Sequence, residues 1–176
     1  MNNHPENTSA EWLSWLVGAD EDRRKEATLR LGGLTPEDSV PLQPLLDGLR
    51  SDNETVVFWC TVALGRVGEA AHAGLADLLS VASGHPKFGL RQAAVAAAPR
   101  VDPRDESVRL TLLGALSDPS ECVRREALQA LVSMRNLRSE DLAAIRSLEN
   151  DPDPNVARWS EVALRNIHAG PRRLDA

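Results

Sequence analysis

Val123, Ala127, Ala130 and Leu131 are apolar at positions i, i+4, i+7 and i+8, with Arg124, Arg125, Glu126 and Gln129 between them. That spacing lays the apolar residues along one face of an α-helix. The pattern is not isolated. Leu90–Ala98, Val56–Leu64, Arg23–Leu31 and Val156–Leu164 repeat it, with anchors at 23, 56, 90, 123 and 156 and steps of 33, 34, 33 and 33. A second helical pattern lies upstream in each unit, as with Leu45, Leu46, Leu49 and Leu112, Leu113, Leu116. Self-similarity at this period is the sequence mark of a stacked repeat architecture.

The patterning predicts an A helix and a B helix in each unit. The A helices fall at about 9–17, 40–50, 70–82, 104–116 and 139–149, and the B helices at about 22–32, 54–66, 88–98, 120–133 and 154–168. Helix starts carry side chains able to cap free N–H groups: Thr8 before Glu11, Thr35 before Pro36 and Asp38, and Asp-Pro at 102–103, 118–119 and 153–154. Gly32-Gly33, Gly68 and Gly84 stand where helices should stop. Pro41 and Pro44 should shorten or kink the A helix of the second unit.

Helix pairs this short cannot bury their faces alone, so they must stack, and the fold expected is an all-α solenoid. Ala27, Ala63, Ala94, Ala97, Ala127, Ala130 and Ala163 allow close helix approach. The organisation expected is a disordered N-terminus over 1–7, one repeat domain over 8–168 and a tail over 169–176. The units run at about 8–33, 34–67, 68–101, 102–134 and 135–168.

Ala63-Leu64-Gly65-Arg66-Val67-Gly68-Glu69-Ala70, and Asp118-Pro119 followed by Val123-Arg124, Ala127 and Ala130-Leu131, resemble HEAT repeats, in particular the short type named after phycobilisome lyases. The resemblance covers roughly residues 8–168. It implies a right-handed superhelix of about five two-helix repeats, with the B helices on the concave face. The Tyr and Pro positions of tetratricopeptide repeats and the Thr-Pro-Leu-His of ankyrin repeats are missing. Unit one departs most, with Arg23 at the usual apolar anchor, as terminal repeats do.

Composition agrees with helices: Tyr is absent and aromatics are 3% of the chain. The longest apolar run, Ala93–Ala98, is too short to cross a bilayer. The N-terminal residues carry no signal-peptide pattern and the two cysteines make no disulfide framework, so a cytoplasmic location is expected. The net charge of −6 disfavours indiscriminate nucleic-acid binding. Charge is nevertheless sorted by element. The B segments hold eleven basic and three acidic residues, a net +8, while the remainder holds nine and twenty-three, a net −14.

Three groups of residues stand out. Arg24, Arg91 and Arg124, one place past the anchor, match the Arg of the family's structural ladder, which pairs with a turn Asp such as Asp20 or Asp118. Arg125 and Arg158, one place further round, point away from the core and are candidates for contacting a ligand. Phe58, Trp59, Val62, Trp159 and Val162 are apolar at the edge of the buried stripe or outside it. Either they line a partner-binding groove, Arg beside aromatic being the composition of a protein hot spot, or the Trp rings fold over their neighbours and fill gaps. Trp12 and Trp15 on the first helix either seal the N-terminal end or mediate weak self-association of a monomer.

No catalytic, cofactor or metal residues are assigned. The histidines are scattered, no phosphate loop or nucleophile elbow is present, and Cys60 occupies a small core position. The expected function is a non-catalytic adaptor that binds an acidic or apolar segment of another protein in the groove of the B helices. Nucleic-acid binding of the HEAT-like DNA glycosylase kind is the alternative, but the groove centre in unit three offers Gln92, Ala93 and Ala96 and no carboxylate. A lyase-type accessory role in a covalent attachment reaction is a further alternative, with no residue to name for it.

Overall fold

The computed structural model describes residues 8–134 and 137–169. Among the described residues the regular structure is all helical: α1 (Ser9–Leu16), α2 (Glu21–Gly32), α3 (Gln43–Gly48), α4 (Glu54–Val67), α5 (Leu75–Gly84), α6 (Phe88–Val101), α7 (Glu106–Ala115), α8 (Glu121–Ser133), α9 (Ser139–Ser147) and α10 (Pro154–Ala169). Short 3-10 turns cover Gly68–Gly74 and Leu148–Asn150. The expected disordered segment 1–7, and 170–176 of the expected tail, lie outside the described residues.

Each odd-numbered helix packs on the even one after it, and the even helices stack in order from α2 to α10. This is the all-α solenoid expected from the periodicity, and one continuous hydrophobic core runs from Trp12 to Leu164. The repeat registers explain why these residues can stack. Four places past the anchor stand Ala27, Cys60, Ala94, Ala127 and Ser160, every one fully buried. Only a small side chain fits there, where an even helix lies on the odd helix of its own repeat, as the Cys60 sulfur lies against Gly48 of α3. The polar member, Ser160, donates its hydroxyl to the Ile145 carbonyl, so no buried group is left unpaired there. Gly65 carries a close approach between even helices: a Cβ built on it would lie 2.8 Å from the Ala97 Cβ on α6.

Side-chain caps start α1, α2, α4, α7 and α10. Thr8 and Glu11 form a capping box on α1, Asp20 accepts from the Arg23 amide, Asn53 from Thr55 and Val56, and Asp153 from Asn155 and Val156.

Several expected boundaries are corrected. The Thr35-Pro36 start opens no helix: the Thr35 amide and hydroxyl both donate to Asp38 in a closed turn. The A helix of the second unit is only Gln43–Gly48, with Pro44 in its first turn. The A helix expected at 70–82 is a 3-10 turn followed by α5 from Leu75, because Gly68, at φ 72°, ends α4 without a linker. The cap of α7 is Asp105 and not Asp102, whose carboxylate accepts from the Arg104 amide. Helix α6 runs through Pro99 to Val101, losing only one backbone bond in its last turn.

Candidate functional site

The solenoid presents the even helices as one face, and the inter-repeat turns flank it. Arg91 on α6 reaches forward to Asp118 with bonds of 2.7 and 2.8 Å, and donates back to the carbonyls of His85 and Pro86. Arg124 on α8 does the same one period later, to Asp151 and to the Asp118 and Pro119 carbonyls. Both aspartates also accept an amide of their own turn, from Ser120 and Asp153. Asp151 is held below the usual carboxylate range, first by the Arg124 hydrogen bonds. Burial pushes Asp118 up, but Arg91 and the Ser120 amide more than offset it, and its pKa is also lowered.

Arg24 makes only the backward half of this pattern, to the Gly18 carbonyl. The expected Asp20–Arg24 pair is not formed: Asp20 caps α2 and lies 3.6 Å from Arg23. Twenty-seven places beyond Arg24 stands Ser51, which has no carboxylate to receive it.

A second ionic cluster joins α7 to α9 and was missed by the sequence reading. Arg109 pairs with Glu106 and with the fully buried Asp141, while Arg138 donates to Glu106 and its amide donates to Asp141. Side-chain hydrogen bonds from Arg109 and Arg138 hold Glu106 down to about 2. One signal was available. Asp141 stands one period after Val108 and two after Leu75, both buried apolar residues.

On the even-helix face the candidate groove residues separate. Phe58 is 37% and Trp159 46% exposed, Arg158 is exposed, and Val62, Arg125 and Val162 are half-buried. Trp59 behaves differently. Its ring packs against the core and over α2, where a Cβ on Gly32 would lie 3.2 Å from it, and it meets Phe58 edge-to-face at 5.3 Å. Trp59 therefore fills a gap between α2 and α4.

Between α4, α6 and α8 lies a shallow groove of about 320 Å³, lined by Phe58, Val62, Arg66, Ala93, Arg100 and Glu126 among others. It continues past Pro99 toward Gln129 and Ser133. The expectation of a groove centre without a carboxylate is thus corrected: Glu126 reaches it from the next helix, 3.4 Å from the Gln92 amide nitrogen that donates to it. Arg66 and Arg100 also belong to this groove. Among the described residues Arg66, Arg100, Arg125, Arg158 and Arg165 make no ion pair.

At the N-terminal end Trp12 is buried, at 8% exposure, and Trp15 is half-buried with Arg23 5.8 Å above its ring. Arg23 therefore covers an aromatic surface where later repeats use an apolar anchor. Burial pushes the Cys60 thiol up to about 12, whereas Cys122 is half-buried. Among the described residues no helix is long and apolar enough to cross a membrane.

The family model for HEAT repeats matches residues 75–165, the stretch that contains both complete Arg–Asp rungs. No curated relative matches the chain. Solved structures are similar in fold. An engineered protein aligns at TM-score 0.62 with 18% identity, over 97% of this chain and 81% of its own. A designed armadillo repeat protein in complex with the peptide (KR)4 aligns at TM-score 0.62 with 18% identity, over 90% and 81%. The archaeal HEAT-like repeats protein from Thermococcus onnurineus NA1 aligns at TM-score 0.52 with 16% identity, over 89% and 69%.

Proposed function

The chain belongs to the HEAT-repeat family, and on that premise we propose that it is a non-catalytic protein-interaction module whose even-helix face binds an acidic or apolar segment of another protein. One observation carries this reading: the arginines of that face at 66, 100, 125 and 158 have no ion-pair partner among the described residues, Arg66 and Arg100 line one groove with exposed Phe58, and Arg158 adjoins exposed Trp159 in the chain. Arg91, Arg109 and Arg124, by contrast, are held in structural ion pairs. Arg and aromatic side chains together supply the charge pairing and rigid apolar area of binding hot spots.

The designed armadillo neighbour in complex with (KR)4 supports peptide binding as a use of this fold. That peptide is basic, and the charge of the face described here is the opposite of what it would need. The segment that fits is acidic. The binding residues are Phe58, Val62, Arg66, Arg100, Arg125, Arg158, Trp159 and Val162, with Trp59 supporting Phe58 from behind.

Affinity purification at low and moderate salt, with proteins and nucleic acid both identified, tests the reading. A protein held by the wild type and released by Arg66→Ser/Arg100→Ser/Arg125→Ser/Arg158→Ser supports it. An unchanged set of bound proteins overturns it. Glu126 in an Arg-flanked groove favours the nucleic-acid alternative, which requires retention of nucleic acid falling steeply with salt.

A further inference from the structure

We propose that the notch between α4 and α6 seats an amphipathic acidic helix of the partner, with one large apolar side chain inserted and two carboxylates clamped by Arg66 and Arg100. This rests on the protein-binding reading of the even-helix face and narrows it to one occupant.

The notch exists because repeat three carries the shortest side chains of the face. Gly89, Ala93 and Ala96 form its floor, Phe58 and Val62 its wall, and the groove of about 320 Å³ has room for an apolar side chain from outside. Arg66 and Arg100 occupy the same register, ten places past the anchors at 56 and 90, and both line the notch. Both are exposed, so neither loses its charge to burial.

Their spacing selects the ligand's conformation. Helices α4 and α6 are packed neighbours, and packed helices lie about 8–10 Å apart axis to axis. In a helical ligand crossing them, residues i and i+7 are about 10.5 Å apart along the axis and share a face. Residues i+3 and i+4 lie between them on that face, above the Gly and Ala floor. In an extended ligand the residue about 10 Å away is the third one on, and it points to the opposite side. A helix therefore meets both arginines and the notch at once, and a strand does not.

Glu126 sets the limit on charge. It closes the far wall, held by Gln92, and repels a carboxylate placed toward α8. The partner helix should be acidic over α4 and α6 and neutral or basic beyond.

The test uses the full chain and two short labelled peptides of identical composition, both helix-favouring. One carries Glu at i and i+7 with Leu at i+3 and i+4, and the other has one Glu moved to the opposite face. Binding is read by fluorescence anisotropy, with circular dichroism confirming that each variant folds. The matched peptide should bind roughly tenfold more tightly, a difference of about 1.4 kcal/mol. That preference should vanish in Arg66→Ser/Arg100→Ser, and Glu126→Gln should tighten binding.

Equal binding of the two peptides, or a preference that survives in the arginine variant, overturns the inference. If both peptides bind equally and both are lost in Arg125→Ser/Arg158→Ser, the inference fails while the broader protein-binding reading stands. If neither peptide binds, the seat is refuted, and the broader reading is decided by the partner purification alone.

Discussion

Asp151 accepts two hydrogen bonds from Arg124, both 2.7 Å, and Asp118 accepts the equivalent pair from Arg91 one repeat earlier. In each case the arginine also donates to the carbonyls of the preceding turn. One side chain thus ties three segments: its own helix, the turn before it and the turn of the next repeat. The fork geometry of guanidinium suits this, since its donors point in fixed directions that a lysine could not reproduce.

Removing the arginine should therefore cost more than removing both partners. The Asp151 side chain is only 3% exposed, so Arg124→Ala leaves a nearly buried carboxylate unpaired. The expected loss is about 3 kcal/mol, the lower end for a buried pair broken from one side. Arg124→Ala/Asp151→Ala should lose less. Urea unfolding of wild type and the two variants measures both, and a double variant that loses as much as Arg124→Ala or more would refute the argument.

Acid should weaken the same rungs. The pKa values of Asp118 and Asp151 are lowered in the folded chain, so their contribution is complete above the unfolded carboxylate value of about 3.9 and disappears as pH falls through the folded values. Wild type should lose stability more steeply than Asp118→Asn/Asp151→Asn on going from about pH 5 to pH 3. Parallel stability–pH curves would contradict this.

The periodic features were legible because they repeat. Anchors, the small register at Ala27, Cys60, Ala94, Ala127 and Ser160, and most B-helix limits follow from spacing alone. What the sequence hid depends on contacts between repeats. A helical wheel for one unit assigns Glu126 to unit four, yet its carboxylate lines the groove of unit three. The same wheel turns Trp59 outward, although its ring lies back over Gly32. Asp20 is a turn aspartate by sequence, but its position four before Arg24 makes it the cap of α2 and not the ladder partner.

Gly65 tests the close approach of α4 to α6. A Cβ there would lie 2.8 Å from the Ala97 Cβ and 3.0 Å from its Cα, so α4 and α6 must move apart. Gly65→Ala should destabilise by about 1–3 kcal/mol despite its better helix propensity. Adding Ala97→Gly should recover part of that loss. Thermal unfolding of the single and double variants checks it, and a stabilised Gly65→Ala chain would show that the helices are not in contact there.

The thiols should differ sharply. Cys60 is fully buried, with its thiol pushed up to about 12, while Cys122 is half-buried. A thiolate-directed reagent near pH 8 should modify Cys122 alone in the folded chain, with the second equivalent reacting only after denaturation. Mass spectrometry of the labelled peptides distinguishes the sites. Modification of Cys60 at the rate of Cys122 would mean that the α3–α4 packing opens readily.

Arg109 and Asp141 make the strongest test of whether ionic pairing or apolar packing is the better solution between α7 and α9. The registers one and two periods before Asp141 hold Val108 and Leu75, so the cavity can hold an apolar side chain. Asp141→Val alone strands Arg109 among Glu106 and Glu140 with no buried partner and removes the acceptor of the Arg138 amide. It should lower the urea midpoint. Arg109→Met/Asp141→Val removes both buried charges and replaces them with packing, an exchange that is often neutral or favourable. The double variant should therefore unfold at a higher urea concentration than either single one. If instead it is the least stable of the three, the Arg109–Asp141 pair contributes more than the apolar packing that other repeats use at that register.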